Sequence, residues 1–147
     1  MKARTRANTP EARSRSRAHR TLRKLDHYYS DNAISDDHAR LVQAQFEPRE
    51  LLVGVYQNSE TDLTQNFMLT TRGVYVFREG WTRIDYEQIT DVRVPLGDGV
   101  DKSNAETLVI DYAPDQQVEL KVTGGHGSVR DIWGVFTFFI RIVPTMV

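Results

Sequence analysis

The stretch Gly124-Gly125-His126-Gly127-Ser128 is the best placed for chemistry in this 147-residue chain. It stands just before an apolar-periodic run that reads as a helix. Free backbone N–H groups and the positive end of a helix dipole could hold an anion there, with Gly124, Gly125 and Gly127 forming the turn. A Walker A motif would end in Gly-Lys-Ser/Thr, and a dinucleotide fingerprint needs a parallel βαβ unit; neither is present. The plainer alternative is a turn that needs positive φ before the helix. His126 lies two residues from Ser128, but a nucleophile pair needs a third group to orient the base. His19, His27 and His38 form no i, i+4 pair. His27 and His38, near Asp26, Asp31, Asp36 and Asp37, could gather a metal ion, or could simply be part of a solvated acidic surface. Asp98, Asp101 and Asp111 are scattered acids without a paired partner. The absence of cysteine excludes disulfides, thiolate nucleophiles and Cys-type zinc sites. No catalytic residue, metal ligand set or cofactor is therefore assigned, and the chain reads as non-enzymatic.

Charge gives a second candidate. Residues 1–25 hold nine Lys and Arg against one acid, a net of +8, whereas residues 26–147 hold ten against nineteen, a net of −9. Arg4, Arg6, Arg13, Arg15, Arg17, Arg20 and Arg23, interleaved with Ser, could neutralise phosphates and give salt-dependent nucleic-acid binding. The segment could also sit on an anionic membrane, although it lacks the apolar face that membrane helices use. Its composition matches organellar transit peptides too, with the same missing face. The bland alternative is a solvated tail. The longest apolar run, Trp133 to Ile140, is far shorter than the roughly 20 residues that span a bilayer. With no apolar stretch near the start and no cysteine, a cytoplasmic protein without a transmembrane segment is expected.

The elements that would position these residues follow from periodicity. Before Leu22 the arm has almost nothing large and apolar to bury, so it reads as disordered or partly helical. Thr9-Pro10-Glu11 could open a helix, with Ala18, Leu22, Leu25 and Tyr29 along one stripe. Residues 26–46 read as a helical linker, with a short helix from Asp36 to Gln45 capped by Ser35. The domain proper is expected over 47–147. Seven runs rich in β-branched and aromatic residues occupy about 50–56, 67–71, 74–77, 81–86, 89–94, 106–112 and 117–122. Turns at Arg72-Gly73, where Gly can take positive φ, and at Glu79-Gly80 separate three of them. The period then changes: Val129, Ile132, Trp133, Phe136, Phe139, Ile140 and Val143 fall at three- and four-residue steps. Ser128 would cap this helix, Asp131 would be a capping-box-like acid, and Pro144 would stop it.

Phe67-Met68-Leu69-Thr70-Thr71-Arg72-Gly73-Val74-Tyr75-Val76, followed by Ile84-Asp85-Tyr86-Glu87-Gln88-Ile89-Thr90-Asp91-Val92, resembles the bacterial PH-like and GRAM-type domains of the pleckstrin-homology-like superfold. The likeness covers about residues 50–143. It implies a mainly β fold: a seven-stranded sandwich or partly open barrel capped by an amphipathic C-terminal helix. It also implies a binding module for a protein or peptide, often in the groove between a sheet edge and that helix, and self-association in some relatives. The loop between the first two strands departs from the phosphoinositide-binding pattern, because Glu60 and Asp62 stand where basic residues would be needed. Binding of a lipid headgroup there is disfavoured by repulsion.

Overall fold

The computed structural model describes residues 10–30, 46–59, 61–62, 65–125 and 130–146. The expected helix at Asp36–Gln45, together with Arg4, Arg6, His38, His126, Gly127, Ser128 and Val129, lies outside them.

Two antiparallel sheets and two helices make up the described structure. Helix α1 spans Pro10–Leu22 and strand β1 spans Tyr28–Ser30. Strands β2 (Leu52–Tyr56), β3 (Phe67–Thr70), β4 (Gly73–Phe77) and β5 (Trp81–Asp85) follow. A short 3₁₀ turn at Tyr86–Gln88 leads into β6 (Ile89–Arg93), β7 (Thr107–Tyr112), β8 (Gln116–Lys121) and helix α2 (Asp131–Met146). The first sheet has the order β1-β2-β3-β4-β5 and the second β6-β7-β8. The seven expected runs all fall on strands. The count is nonetheless eight among the described residues, because Tyr28–Ser30 pairs with β2 (Tyr28 opposite Tyr56, Ser30 opposite Gly54).

That eighth strand is an addition to the seven expected runs. It lies within 26–46, where a helical linker is expected, and α1 lies within the arm expected to be disordered or partly helical. Ala18 and Leu22 of α1 are buried in the same core as the sheets. Only a small apolar stripe is visible in α1, but its neighbour α2 is apolar on more than one side and supplies the partner surface. Gly134 of α2 permits this contact: a Cβ there would press on the Leu25 side chain and the Thr21 carbonyl. Tyr28 points inward, whereas Tyr29, expected on the stripe, is exposed; strand geometry alternates the two where a helix would not.

The first sheet is apolar on both faces, which is why its strands read as nearly unbroken hydrophobic runs. Val53, Tyr56, Phe67, Leu69, Val74, Val76 and Ile84 face the main core, while Leu52, Val55, Met68 and Tyr75 form a second cluster on the opposite face with Phe46 and Trp81. Gly73 does not take positive φ as expected; a Cβ there would run into the Ile84 backbone, so close strand approach is what requires glycine. At the following turn the expectation is met in kind, with Glu79 and Gly80 both at positive φ (59° and 131°).

Helix α2 lies over the core, but on a rotated face. Ile132, Val135, Phe138, Phe139 and Ile142 are buried, Trp133, Phe136 and Val143 are half-buried, and Ile140 is 42 % exposed. The expected stripe included Ile140 and omitted Val135, Phe138 and Ile142. A helix this apolar offers several candidate stripes, and the neighbours decide among them. The helix also continues past Pro144 to Met146. Proline removes one i to i−4 hydrogen bond, and near a helix end that loss does not halt the chain.

Candidate functional site

Asp131, at the start of α2, is 2 % exposed and joins four separate segments. Its Oδ1 accepts from the Asp26 N–H (3.1 Å), and its Oδ2 from the His27 N–H (3.2 Å) and the Tyr56 hydroxyl (2.9 Å). The same hydroxyl accepts from the Gly124 N–H at 2.9 Å. Burial, with the charge of Asp131 adding to it, holds the Tyr56 phenol well above its ordinary pKa. The Gly125 N–H donates to the Asp26 carboxylate at 3.1 Å. A Cβ on Gly124 would overlap Asp131 Oδ2. Thus the N–H groups at Gly124 and Gly125, two glycines of the expected anion turn, already engage the protein's own oxygen atoms. His27 stands beside this node, its ring 5.9 Å from that of Tyr56, with a buried Nδ1 that has no hydrogen-bond partner among the described residues. The arrangement ties the chain before β1 to the start of α2. Sequence patterning marks Asp131 only as a capping-box-like acid after Ser128; nothing in the spacing announces that it is buried.

A second polar cluster surrounds Glu50 on the far face of the first sheet. Its carboxylate accepts from the hydroxyls of Thr70 (2.6 Å) and Tyr75 (3.0 Å), the Glu47 N–H (2.9 Å) and Arg83 Nη1 (2.9 Å). Arg83 also pairs with Glu47 and with Asp85. Burial and the adjacent Glu50 charge push the Tyr75 phenol up to about 12. The hydrogen bond from Arg83, then its charge, lowers the pKa of Glu47. Each of the three carboxylates pairs with Arg83, and the cluster reads as a structural network rather than a poised acid and base.

The second sheet carries an open edge. Strand β6 pairs with β7 on one side and, among the described residues, with no strand on the other. Helix α2 packs on β6, and Trp133 and Phe136, half-buried, stand edge to face at 6.1 Å. The Trp133 indole donates to the Lys102 carbonyl (2.9 Å), and Arg130 holds the Ala105 carbonyl (3.1 Å) and the Glu106 carboxylate (2.7 Å). The start of α2 is thereby fixed against the loop that leaves β6. Asp111 and Arg93 pair across β6 and β7, and the hydrogen bond from Arg93, followed by that from Gln117, lowers the Asp111 pKa.

The arginine candidates divide. Arg15, Arg17 and Arg20 lie on α1 and Arg23 just beyond it; the Arg13 side chain and all of Arg4 and Arg6 are outside the described residues. Arg15, His19 and Arg23 line one wall of an open groove of about 700 Å³, with Tyr28, Ser30 and Val53 on the other. Arg23 Nη1 stands 3.1 Å from His19 Nε2. The structure therefore brings together part of the basic set and leaves the glycine turn elsewhere. No group of His, Asp or Glu with metal-binding geometry occurs among the described residues, and no helix among them is long and apolar enough to cross a membrane. No family model, no curated protein and no solved structure matches the chain.

Proposed function

We propose that this chain is a non-catalytic, cytoplasmic PH-like binding module that takes an extended peptide segment of a protein partner along the free edge of β6. The observation that carries this reading is the pairing of β6 on one side only among the described residues, beside a helix that carries the partly buried aromatic residues Trp133 and Phe136. An incoming strand would satisfy the backbone groups of that edge, and side chains at alternate positions would meet Trp133 and Phe136. Strands β2–β5 followed by β6–β8 and a C-terminal helix suit the PH-like architecture, with β1 and α1 as additions at the other edge. Self-association through the same edge would use the same hydrogen bonds, with a second copy as the partner.

The test is selection of peptides from a displayed library on the full chain, followed by hydrogen exchange. Bound peptide is expected to protect amides within Ile89–Arg93, and Ile140→Glu, which changes an exposed side chain of α2, is expected to weaken binding at least tenfold. Protection confined to other strands, or undiminished binding by Ile140→Glu, would refute the reading.

A further inference from the structure

The edges of the two sheets are not equally open. On β8, the Asn58 carboxamide donates to the Lys121 carbonyl (2.7 Å) and accepts from the Thr123 N–H (3.1 Å), the two bonds a neighbouring strand would make. Arg78 Nη1 donates to the Gln117 carbonyl on the same edge (3.4 Å). On β5, the Asp85 N–H is held by Gln88 Oε1 at 3.0 Å. The open side of β1 faces α1 across the groove. Side chains that occupy an edge in this way block the addition of a strand. Strand β6 lacks such a plug. The Val122 N–H donates to the Glu106 carbonyl, and the unbroken β7–β8 register carries that pairing on to Leu108 and Ile110. Val109 and Asp111 therefore turn their backbone groups to β6, where they oppose Arg93 and Asp91. The N–H and C=O of Val92, between those two, point away from β7, and no side chain among the described residues bonds them.

We propose that this edge pairs with the β6 edge of a second copy of the chain, antiparallel, about a two-fold axis at Val92. The sequence Asp91-Val92-Arg93 is self-complementary in that register. The two Val92 residues exchange N–H···O=C bonds at the axis, and Asp91 of each copy falls directly opposite Arg93 of the other. Those flanking pairs are of the type not bonded through the backbone, in which side chains approach most closely. Asp91 and Arg93 lie on the outer face with side chains 60 % and 42 % exposed, so each can reach across while Arg93 keeps Asp111. Moving the axis to residue 91 or 93 would set like charges opposite each other, which is unfavourable. Charge thus selects one register. Because the contact is isologous and the β8 edge is plugged, assembly closes at two copies and does not grow into a filament. The inference shares with the peptide reading only the open β6 edge. Where a peptide binds there, the second copy is the occupant it must displace.

Sedimentation velocity of the full chain, from low micromolar to submillimolar concentration and without peptide, is expected to show a monomer–dimer equilibrium. Asp91→Arg and Arg93→Asp should each weaken it by about tenfold or more, because each sets like charges opposite at both symmetric positions. An equimolar mixture of the two variants should recover the dimer, since every opposed pair in the heterodimer is then of unlike charge. Val92→Pro, which removes only an outward N–H and leaves both side-chain charges in place, should abolish the dimer with thermal unfolding little changed. Hydrogen exchange should slow at the Val92 amide as concentration rises, with the Asp91 and Arg93 amides, which face β7, unaffected. A monomer at every concentration would overturn the proposal. So would a dimer that survives Val92→Pro, a mixture of folded charge variants that stays monomeric, or growth beyond two copies. None of these results bears on peptide binding, which is measured separately.

Discussion

Replacing Asp131 by alanine tests the most unusual contact in the molecule. Three donors lose their acceptor at once: the Tyr56 hydroxyl and the N–H groups of Asp26 and His27. Tyr56 is fully buried, so its stranded hydroxyl should cost about 1–3 kcal/mol. The two backbone donors are only partly buried and can turn to water, at about 0.5–1.5 kcal/mol each. Loss of a negative charge from the first turn of α2 adds about 0.3–1 kcal/mol. The expected loss is about 4 kcal/mol, a large share of the 5–15 kcal/mol typical of a domain. Asp131→Asn keeps one acceptor oxygen and the side-chain volume and should lose about half as much. Urea denaturation followed by tryptophan fluorescence gives the totals. Native-state hydrogen exchange should show the amides of Asp26, His27 and Gly124 exchanging faster in both variants. A loss below 1 kcal/mol for Asp131→Ala, with those amides still protected, would show that the carboxylate does not hold the segments together.

The rotated face of α2 predicts an order of effects: Phe138→Ala, at a fully buried site, should cost about 3–5 kcal/mol, and Trp133→Ala, at a half-buried one, about half that; urea midpoints in the reverse order would refute the packing. Alkaline titration provides another check. The Tyr75 phenol has its pKa raised from 10.0 to about 12, so its contribution to stability is present below pH 10 and is lost as pH rises from about 10 to 12, because the unfolded chain ionises first. A difference titration of wild type against Tyr75→Phe at 295 nm should therefore show no phenolate from this residue below pH 10, and its appearance there would disprove the contact with Glu50.

Strands were legible in this sequence and the partners of the helices were not. The runs at 52–56, 67–70 and 73–77 are rich in β-branched and aromatic residues and broken by polar loops, and local chemistry of that kind survives in any tertiary setting. The strand Tyr28–Ser30 has three residues and no alternation to detect. It exists because the β2 edge accepts it and because Gly54 leaves room for the Tyr28 ring, whose hydroxyl donates to the Val53 carbonyl at 3.3 Å. Neither cause is local. The same holds for α2: Phe136, Phe138, Phe139 and Ile140 could each belong to a plausible stripe, and the choice among them is made by Leu25, Tyr86 and the strands beneath. Of the candidate sites, the arginines were legible as a charge block, but only the fold could show that three of the basic side chains share one wall. The glycine turn looked suited to a foreign anion because the sequence could not reveal that Asp26 and Asp131, more than 100 residues apart, would meet there.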